Sequence, residues 1–225
     1  MVRKIVHLSD LHVRTFKRHV EYQEVAVSFF NDVKKQISGY TRDEVRIVIV
    51  GDIVHQKITI SNEQIKFVSW FFKRCAKLAP TIIVAGNHDL LENNKDRMDS
   101  LTPIISLMDN PDIKYLKESL CYEDDNIVWC NYSMFDNNKR PDIEKAREEF
   151  KNKTFIGLFH GPINGFSTDL GYNFTDSTEL NIFNNLDIVM CGDIHKRGIL
   201  FYEDKIEVNE GELSKYINLG WELDE

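Results

Sequence analysis

Ile5-Val6-His7-Leu8-Ser9-Asp10-Leu11-His12 is the stretch from which the fold of this chain can be read. Its first four residues are an apolar run and predict a buried strand over 3–9. Asp10 and His12 follow at the strand's C-terminal end, a carboxylate and an imidazole two positions apart that can turn toward one point. The arrangement then returns four times. Gly51-Asp52 ends the run Val45 to Val50, and Gly86-Asn87-His88-Asp89 ends Thr81 to Ala85. His160-Gly161 ends Thr154 to Phe159, and Gly192-Asp193-Ile194-His195 ends Leu186 to Cys191. Apolar strands that deliver metal-ligand residue types at their C-terminal ends match the place where open α/β sheets build sites. Oxygen and imidazole donors without thiolates suit hard or borderline divalent ions.

Working outward, the segments between these strands read as helices. Val25, Phe29, Val33 and Ile37 recur at four-residue spacing and predict a helix over 20–37, stopped near Gly39. Ser61 with Gln64 three positions later is a capping box opening a helix over 62–79, which Pro80 closes. The order β-α-β-α-β marks a layered α/β fold. A short helix is expected over 100–109, and strands near 113–116, 119–123 and 126–132, with a hairpin turn at Glu123-Asp124-Asp125-Asn126. A polar helix follows from Asp142 to Phe150, then strands over 154–160 and 186–191 and a hairpin over 199–208. The longest irregular piece is 161–177, a length often functional inside a compact domain. There is no internal repeat, low-complexity run or linker, so residues 1–225 read as a single domain.

Composition bounds the class. Of the 225 residues 42% are apolar and 28% charged, which suits a soluble globular protein. The net charge of −8 lacks the basic footprint of a free-standing nucleic-acid binder, although bound metals add positive charge where it matters. Cys75, Cys121, Cys130 and Cys191 form no C-x-x-C and read as reduced thiols of a reducing compartment. Met1 runs almost directly into the first strand, so no signal peptide is expected, and no apolar run approaches the roughly 20 residues of a membrane span. A cytoplasmic location is expected, in a bacterial cell or in a host cell if phage-encoded.

Taken together the motifs read D-x-H, G-D-x-x-H, G-N-H-D, H-G and G-D-x-H. Each alone is modest: Asp10 could cap a turn, Asn87 could be a turn residue, and His160 a satisfied core histidine. In this order and spacing they resemble the calcineurin-like metallophosphoesterases, and the resemblance runs from Asp10 to His195. It implies the layered metallophosphoesterase sandwich, mixed β-sheets flanked by helices, and two divalent ions, Mn²⁺ first with Mg²⁺ or Zn²⁺ as alternatives. Two such ions about 3.5–4 Å apart clamp the attacking and leaving oxygens of an in-line displacement at phosphorus. By the same resemblance Asp52 bridges the two ions. Asp10, His12 and His195 complete the first site, and Asn87 and His160 hold the second, with Asp193 a candidate ligand. His88 would stabilise or protonate the leaving oxygen, and Asp89 would support its loop. His7 and His19 lie outside the motifs and read as structural.

His55 narrows the resemblance. The protein-phosphatase branch has G-D-x-x-D-R-G where this chain has Gly51-Asp52-Ile53-Val54-His55-Gln56. The histidine is similar to the SbcD-type DNA nuclease branch, which includes phage recombination endonuclease subunits. Arg14 to His19, Asp99 to Ile104, His160-Gly161-Pro162 and Gly192 to Arg197 also look like phage members. In that branch His55 would be a second catalytic residue, near the DNA strand or the leaving group. The implied activity is DNA phosphodiester hydrolysis in end processing, recombination or repair, with DNA as substrate and an SbcC-like coiled-coil ATPase as partner. A homodimer is also expected. Ile65, Val68, Phe72, Cys75 and Ala79 line one face of the helix over 62–79, and Phe67 and Trp70 lie off it, a surplus that packing on one sheet does not need. There are departures. Asp193 stands where the family has the first His of G-H-x-H, Gly198 follows Arg197 where relatives have Gln, and a DNA-capping domain is not read in these residues. A phosphatase or phosphodiesterase for a small molecule or phosphoprotein is the alternative, and a non-catalytic scaffold subunit the third.

Overall fold

β1 (Lys4–Leu8) and β2 (Val45–Val50) are buried at every position, so both faces of their sheet are covered. The computed structural model describes residues 1–15, 18–57, 59–94, 96–136, 139–164, 171, 174–175 and 177–195, with the backbone of 216–218. β1 and β2 are joined by β3 (Thr81–Val84), β4 (Ile113–Tyr115) and β9 (Tyr216–Asn218) in an all-parallel sheet of order β4-β3-β2-β1-β9. The second sheet is β5 (Cys121–Asp124), β6 (Ile127–Tyr132), β7 (Thr154–His160) and β8 (Ile188–Gly192) in that order. Its β5–β6 pair is antiparallel and its other pairs are parallel. The expected hairpin over 199–208 lies outside the described residues.

The two sheets pack face to face. Val48, Val50, Ile82 and Val84 of the first meet Ile127, Trp129, Ile156, Leu158 and Met190 of the second. α1 (His19–Gln36), α2 (Asn62–Leu78) and α3 (Thr102–Met108) cover the outer face of the first sheet. α4 (Ile143–Glu149) covers the second through Ile143 and Ala146 against Val128 and Phe155. The layers therefore run α-β-β-α, a layered α/β fold as the alternation of strands and helices predicts and a sandwich as the resemblance implies. Arg46 ties the sheets at one end, with two 2.7 Å bonds to Asp124.

The helix faces differ in detail from the four-residue reading. α1 buries Tyr22, Ala26, Phe29, Phe30 and Val33, with Val25 and Ile37 only half-buried, because it packs against α2 as well as the sheet. In α2 the capping box of Ser61 and Gln64 is present, Phe71 and Ala76 join the buried face, and Ile65 is exposed. Phe67 and Trp70 are half-buried against α1, with ring centroids 5.9 Å from Tyr22 and 5.7 Å from Phe30 respectively. A neighbouring helix of the same chain thus takes up the apolar surplus from which a partner helix was inferred. No helix among the described residues is long and apolar enough to cross a membrane.

Candidate metal centre

β1, β2, β3, β7 and β8 all end at the same edge of the sandwich, and the five motifs lie at those ends or within the first few residues beyond them. The turns are tight. Asp10, His12, Asp52, Asp193 and His195 have φ of 57°, 43°, 54°, 81° and 53°. Left-handed backbone costs most L-residues, and Asp, Asn and His tolerate it best. Backbone bonds hold these turns: Asp10 N donates to Gly51 O at 3.1 Å and His12 N to Asp52 O at 2.9 Å. Asp193 N donates to both Asp10 carboxylate oxygens, at 3.0 and 3.2 Å. Strain of this kind, over-determined by its surroundings, gathers at functional sites. Gly51 and Gly192 press against the His160 ring so closely that a Cβ on either would overlap it.

The side chains of the expected ligands converge into two cups that share Asp10, and His12, His55 and His88 form a third group of the same kind beside them. Ligand atoms of Asp10, His12 and His195 lie within 4.8 Å of one another, and so do those of Asp10, Asp52 and His160. His12 Nε2 is 3.2 Å from His195 Nε2, and His195 Nε2 is 3.7 Å from Asp10 Oδ1. Asp52 is fully buried between the cups. Its Oδ2 is 3.5 Å from His12 Nε2 and its Oδ1 is 3.3 Å from His160 Nε2. Asn87 brings its side-chain oxygen to 3.3 Å from His160 Nε2; turned over, its amide nitrogen would reach both Asp52 oxygens at 3.2 Å. Asp193 Oδ1 stands 3.9 Å from His160 Nε2. All seven residues expected to hold metal are brought together.

The donor chemistry fits a pair of cations. Three carboxylates, an amide oxygen and three imidazoles point at a space a few ångströms wide. His160 Nδ1 donates to Val50 O at 2.8 Å, which turns Nε2 toward Asp52, where it can carry a proton or meet a cation. Burial opposes charge on His160, but the bond and charge of Asp52 with the charge of Asp10 outweigh it and raise its pKa to about 9. Burial also works against the Asp52 charge, and His160 more than offsets it, so the carboxyl is held below its usual value. His12 is driven the other way, chiefly by burial, to about 4 and stays neutral. Burial raises Asp10 and Asp193. Excess negative charge is thus balanced by a proton on His160 at the position a cation would occupy.

That balance predicts proton-linked metal binding. A cation at His160 Nε2 must displace the proton, so affinity rises with pH up to about 9, by at most about tenfold per pH unit for one proton. Calorimetry at pH 6 to 8 in buffers of different ionisation enthalpy should register proton release. Affinity flat across that range, without release, would contradict it.

His88 and His55 flank the cups. The His88 backbone N–H donates to Asp52 Oδ1 at 2.8 Å, and its Nδ1 donates to His55 O at 2.7 Å, so Nε2 is the atom free to carry a proton. The His55 ring stacks on His88 with centroids 5.4 Å apart, and its Nδ1 is 3.4 Å from His12 Nδ1. His12 Nε2 faces Asp52 Oδ2 at 3.5 Å, and a cation bound at Nε2 would leave the proton of His12 on Nδ1, toward His55. His55 therefore supports both neighbours, one through its carbonyl and one through its ring. Asp89 is fully buried and accepts from Gly86 N, Val54 N and Ile53 N at 2.9, 3.0 and 3.3 Å, tying two site loops together. His7 and His19 join neither cup. His7 is buried in β1, and His19 Nε2 meets Thr15 O at 2.9 Å. Sequence reading missed Tyr22, whose hydroxyl donates to His12 O at 2.8 Å from α1. Nothing in its local pattern distinguishes it from a core aromatic.

Comparison with known proteins agrees with this geometry. The model for the calcineurin-like phosphoesterase family matches residues 3–197. An uncharacterized protein of Acanthamoeba polyphaga mimivirus is 38% identical over 202 residues, covering 87% of this chain. The chain spans only 15% of that viral protein's length. A match from the first strand to the last motif, on a sandwich whose strand ends build two adjoining acceptor cups, leaves one conclusion: the chain belongs to the calcineurin-like phosphoesterase family.

Proposed function

We propose that the chain is a two-metal phosphodiesterase that hydrolyses DNA, an SbcD-like nuclease of end processing, recombination or repair. The observation that supports this most is the second imidazole beside the cups, after His88. His55 stacks on His88 where the phosphatase branch would carry a carboxylate. Burial first, then the nearby Arg14 charge, holds the His55 pKa down, so the group beside His88 is a neutral ring rather than an anion. A polyanionic strand meets no added repulsion there.

In this assignment Asp10, His12, Asp52 and His195 hold the first ion, and Asp52, Asn87, His160 and Asp193 the second, with Mn²⁺ the proposed metal. Two bound divalent ions would acidify the attacking water and clamp the oxygens of the in-line displacement. The chain's own residues do the rest. Asp52 fixes the separation of the cups, His160 is aimed by the Val50 carbonyl, and His88 Nε2 gives a proton to the departing oxygen. His55 holds His88 and His12 in the tautomers this requires.

The test is labelled DNA incubated with Mn²⁺, Mg²⁺ or EDTA, beside bis-p-nitrophenyl phosphate and its monoester. Metal-dependent cutting of DNA, with the diester turned over in preference to the monoester, is the expected result. Turnover of the monoester with DNA untouched would favour the alternative, a small-molecule or phosphoprotein phosphoesterase, which the net charge of −8 supports. An SbcC-like ATPase and a second copy of the chain are the proposed partners, on resemblance alone. A monomer by sedimentation at micromolar concentration would remove the second copy.

Asp193 carries a separate prediction. Its backbone N–H holds Asp10, and its φ of 81° strains an Ala replacement, so Asp193→Asn is measured beside Ala to separate the lost charge from a disturbed turn. Asp193→Ala should lose affinity at the second site only. Asp193→His should restore binding and shift preference from Mn²⁺ or Mg²⁺ toward Zn²⁺, because imidazole is the softer donor. Unchanged stoichiometry and affinity in the Ala variant would reduce Asp193 to a turn residue.

A further inference from the structure

Cys121 and Cys130 face each other across β5 and β6, with their sulfurs 3.3 Å apart. The hairpin decides what kind of pair they form. Asp124 and Ile127 close a two-residue turn, so hydrogen-bonded and non-hydrogen-bonded pairs alternate from there, and Cys121–Cys130 falls on a non-hydrogen-bonded position. The bond from Asn131 N to Leu120 O, at 3.0 Å, marks the next hydrogen-bonded pair beyond it. Non-hydrogen-bonded pairs bring their Cα atoms to about 4.5 Å. That separation lies within the roughly 4.4–6.8 Å a disulfide spans. The sulfurs can therefore join with little movement of either strand.

The two thiols are not equivalent. Cys130 is fully buried, clustered with Ile143 and Ala146 of α4, whereas Cys121 is half-buried on the edge strand. The hydrogen bond they share lowers the Cys121 pKa, and that bond and burial raise Cys130. The more accessible sulfur is thus the one that ionises first, as a reactive thiol requires. Cys75 is fully buried in the core, and burial pushes Cys191 up to about 12.

We propose that Cys121 and Cys130 are a dithiol site that a hydroperoxide oxidises to a disulfide across the hairpin. The Cys121 thiolate attacks one peroxide oxygen. An S–O bond forms, the O–O bond breaks, and the departing oxygen leaves as water or alcohol after taking a proton. Cys121 is then a sulfenic acid. The Cys130 sulfur attacks the Cys121 sulfur, the S–S bond forms, the S–O bond breaks, and the hydroxyl leaves as water with the Cys130 proton. The two sulfurs together lose two electrons and the peroxide gains them. A reducing dithiol reverses the change by exchange. The disulfide would fasten the edge strand to the second sheet, away from the metal centre.

The full chain should be exposed to hydrogen peroxide, denatured without reductant, and its free thiols counted. The count is expected to fall from four to two. The peptide carrying Cys121 and Cys130 should be lighter by two hydrogens and recover with dithiothreitol. Cys121→Ser should keep all three remaining thiols under the same exposure. Four free thiols in the oxidant-treated wild type would overturn the proposal, and so would equal thiol loss from Cys121→Ser. The peptide masses come from the wild-type chain, so they decide the matter even if a variant fails to fold.

Discussion

Asp52→Ala is expected to empty both cups at once. Asp52 turns its two oxygens to imidazoles of different cups, Oδ2 toward His12 at 3.5 Å and Oδ1 toward His160 at 3.3 Å. Gly51 and Gly86 pack against His160 and Asp52 so closely that a Cβ on either would overlap them, which fixes where the Asp52 carboxylate sits. Phosphoesterase turnover should fall to that of the metal-stripped protein. Thermal unfolding should show the loss independently of activity. A ligand bound only by the native state stabilises it by about 2.7 kcal/mol at 100 times its Kd, so the wild type should melt higher as Mn²⁺ is added. Asp52→Ala should not. Asp52 has φ of 54°, which Asn tolerates and Ala does not, so Asp52→Asn is the control that separates lost charge from lost backbone geometry. If the Asn variant kept a full metal-dependent rise, the bridging assignment would fall.

What could be read before the structure follows from how the site is made. A parallel strand buried on both faces is an unbroken apolar run, and the residue that ends it is necessarily the one that leaves the sheet. Asp10, Asp52, Asn87, His160 and His195 were legible because they sit at that boundary in a chain with few other histidines. The capping box at Ser61 was legible because its chemistry is local. Contacts across the fold were not. The Val50 carbonyl that aims His160 comes from 110 residues away in sequence. Tyr22 reaches His12 only because α1 lies over the β1 loop, and Phe67 and Trp70 are covered only because α1 lies beside α2. His55 could be flagged from the sequence as an imidazole near the site. That its carbonyl holds His88 while its ring faces His12 is a tertiary fact.

His88→Ala should behave in the opposite way to Asp52→Ala, keeping both metals and losing most of the turnover. The backbone explains the first half. What His88 gives to the cups is its N–H, which donates to Asp52 Oδ1 at 2.8 Å and survives truncation of the side chain. The ring explains the second. Nδ1 is committed to the His55 carbonyl at 2.7 Å, so Nε2 is the atom left to protonate a departing oxygen. Positioned general acids contribute about 10²–10⁴-fold, and on the proposed nuclease reading that is the expected fall in kcat on DNA. The size of the fall should depend on the leaving group. A p-nitrophenolate departs without needing a proton, so bis-p-nitrophenyl phosphate should suffer far less than DNA, whose alkoxide leaving group needs one. Metal content by mass spectrometry and the rise in melting temperature with Mn²⁺ should match the wild type. Equal losses on both substrates would remove the general-acid role and leave His88 a residue that orients substrate. Loss of metal as complete as in Asp52→Ala would make it a part of the cups themselves.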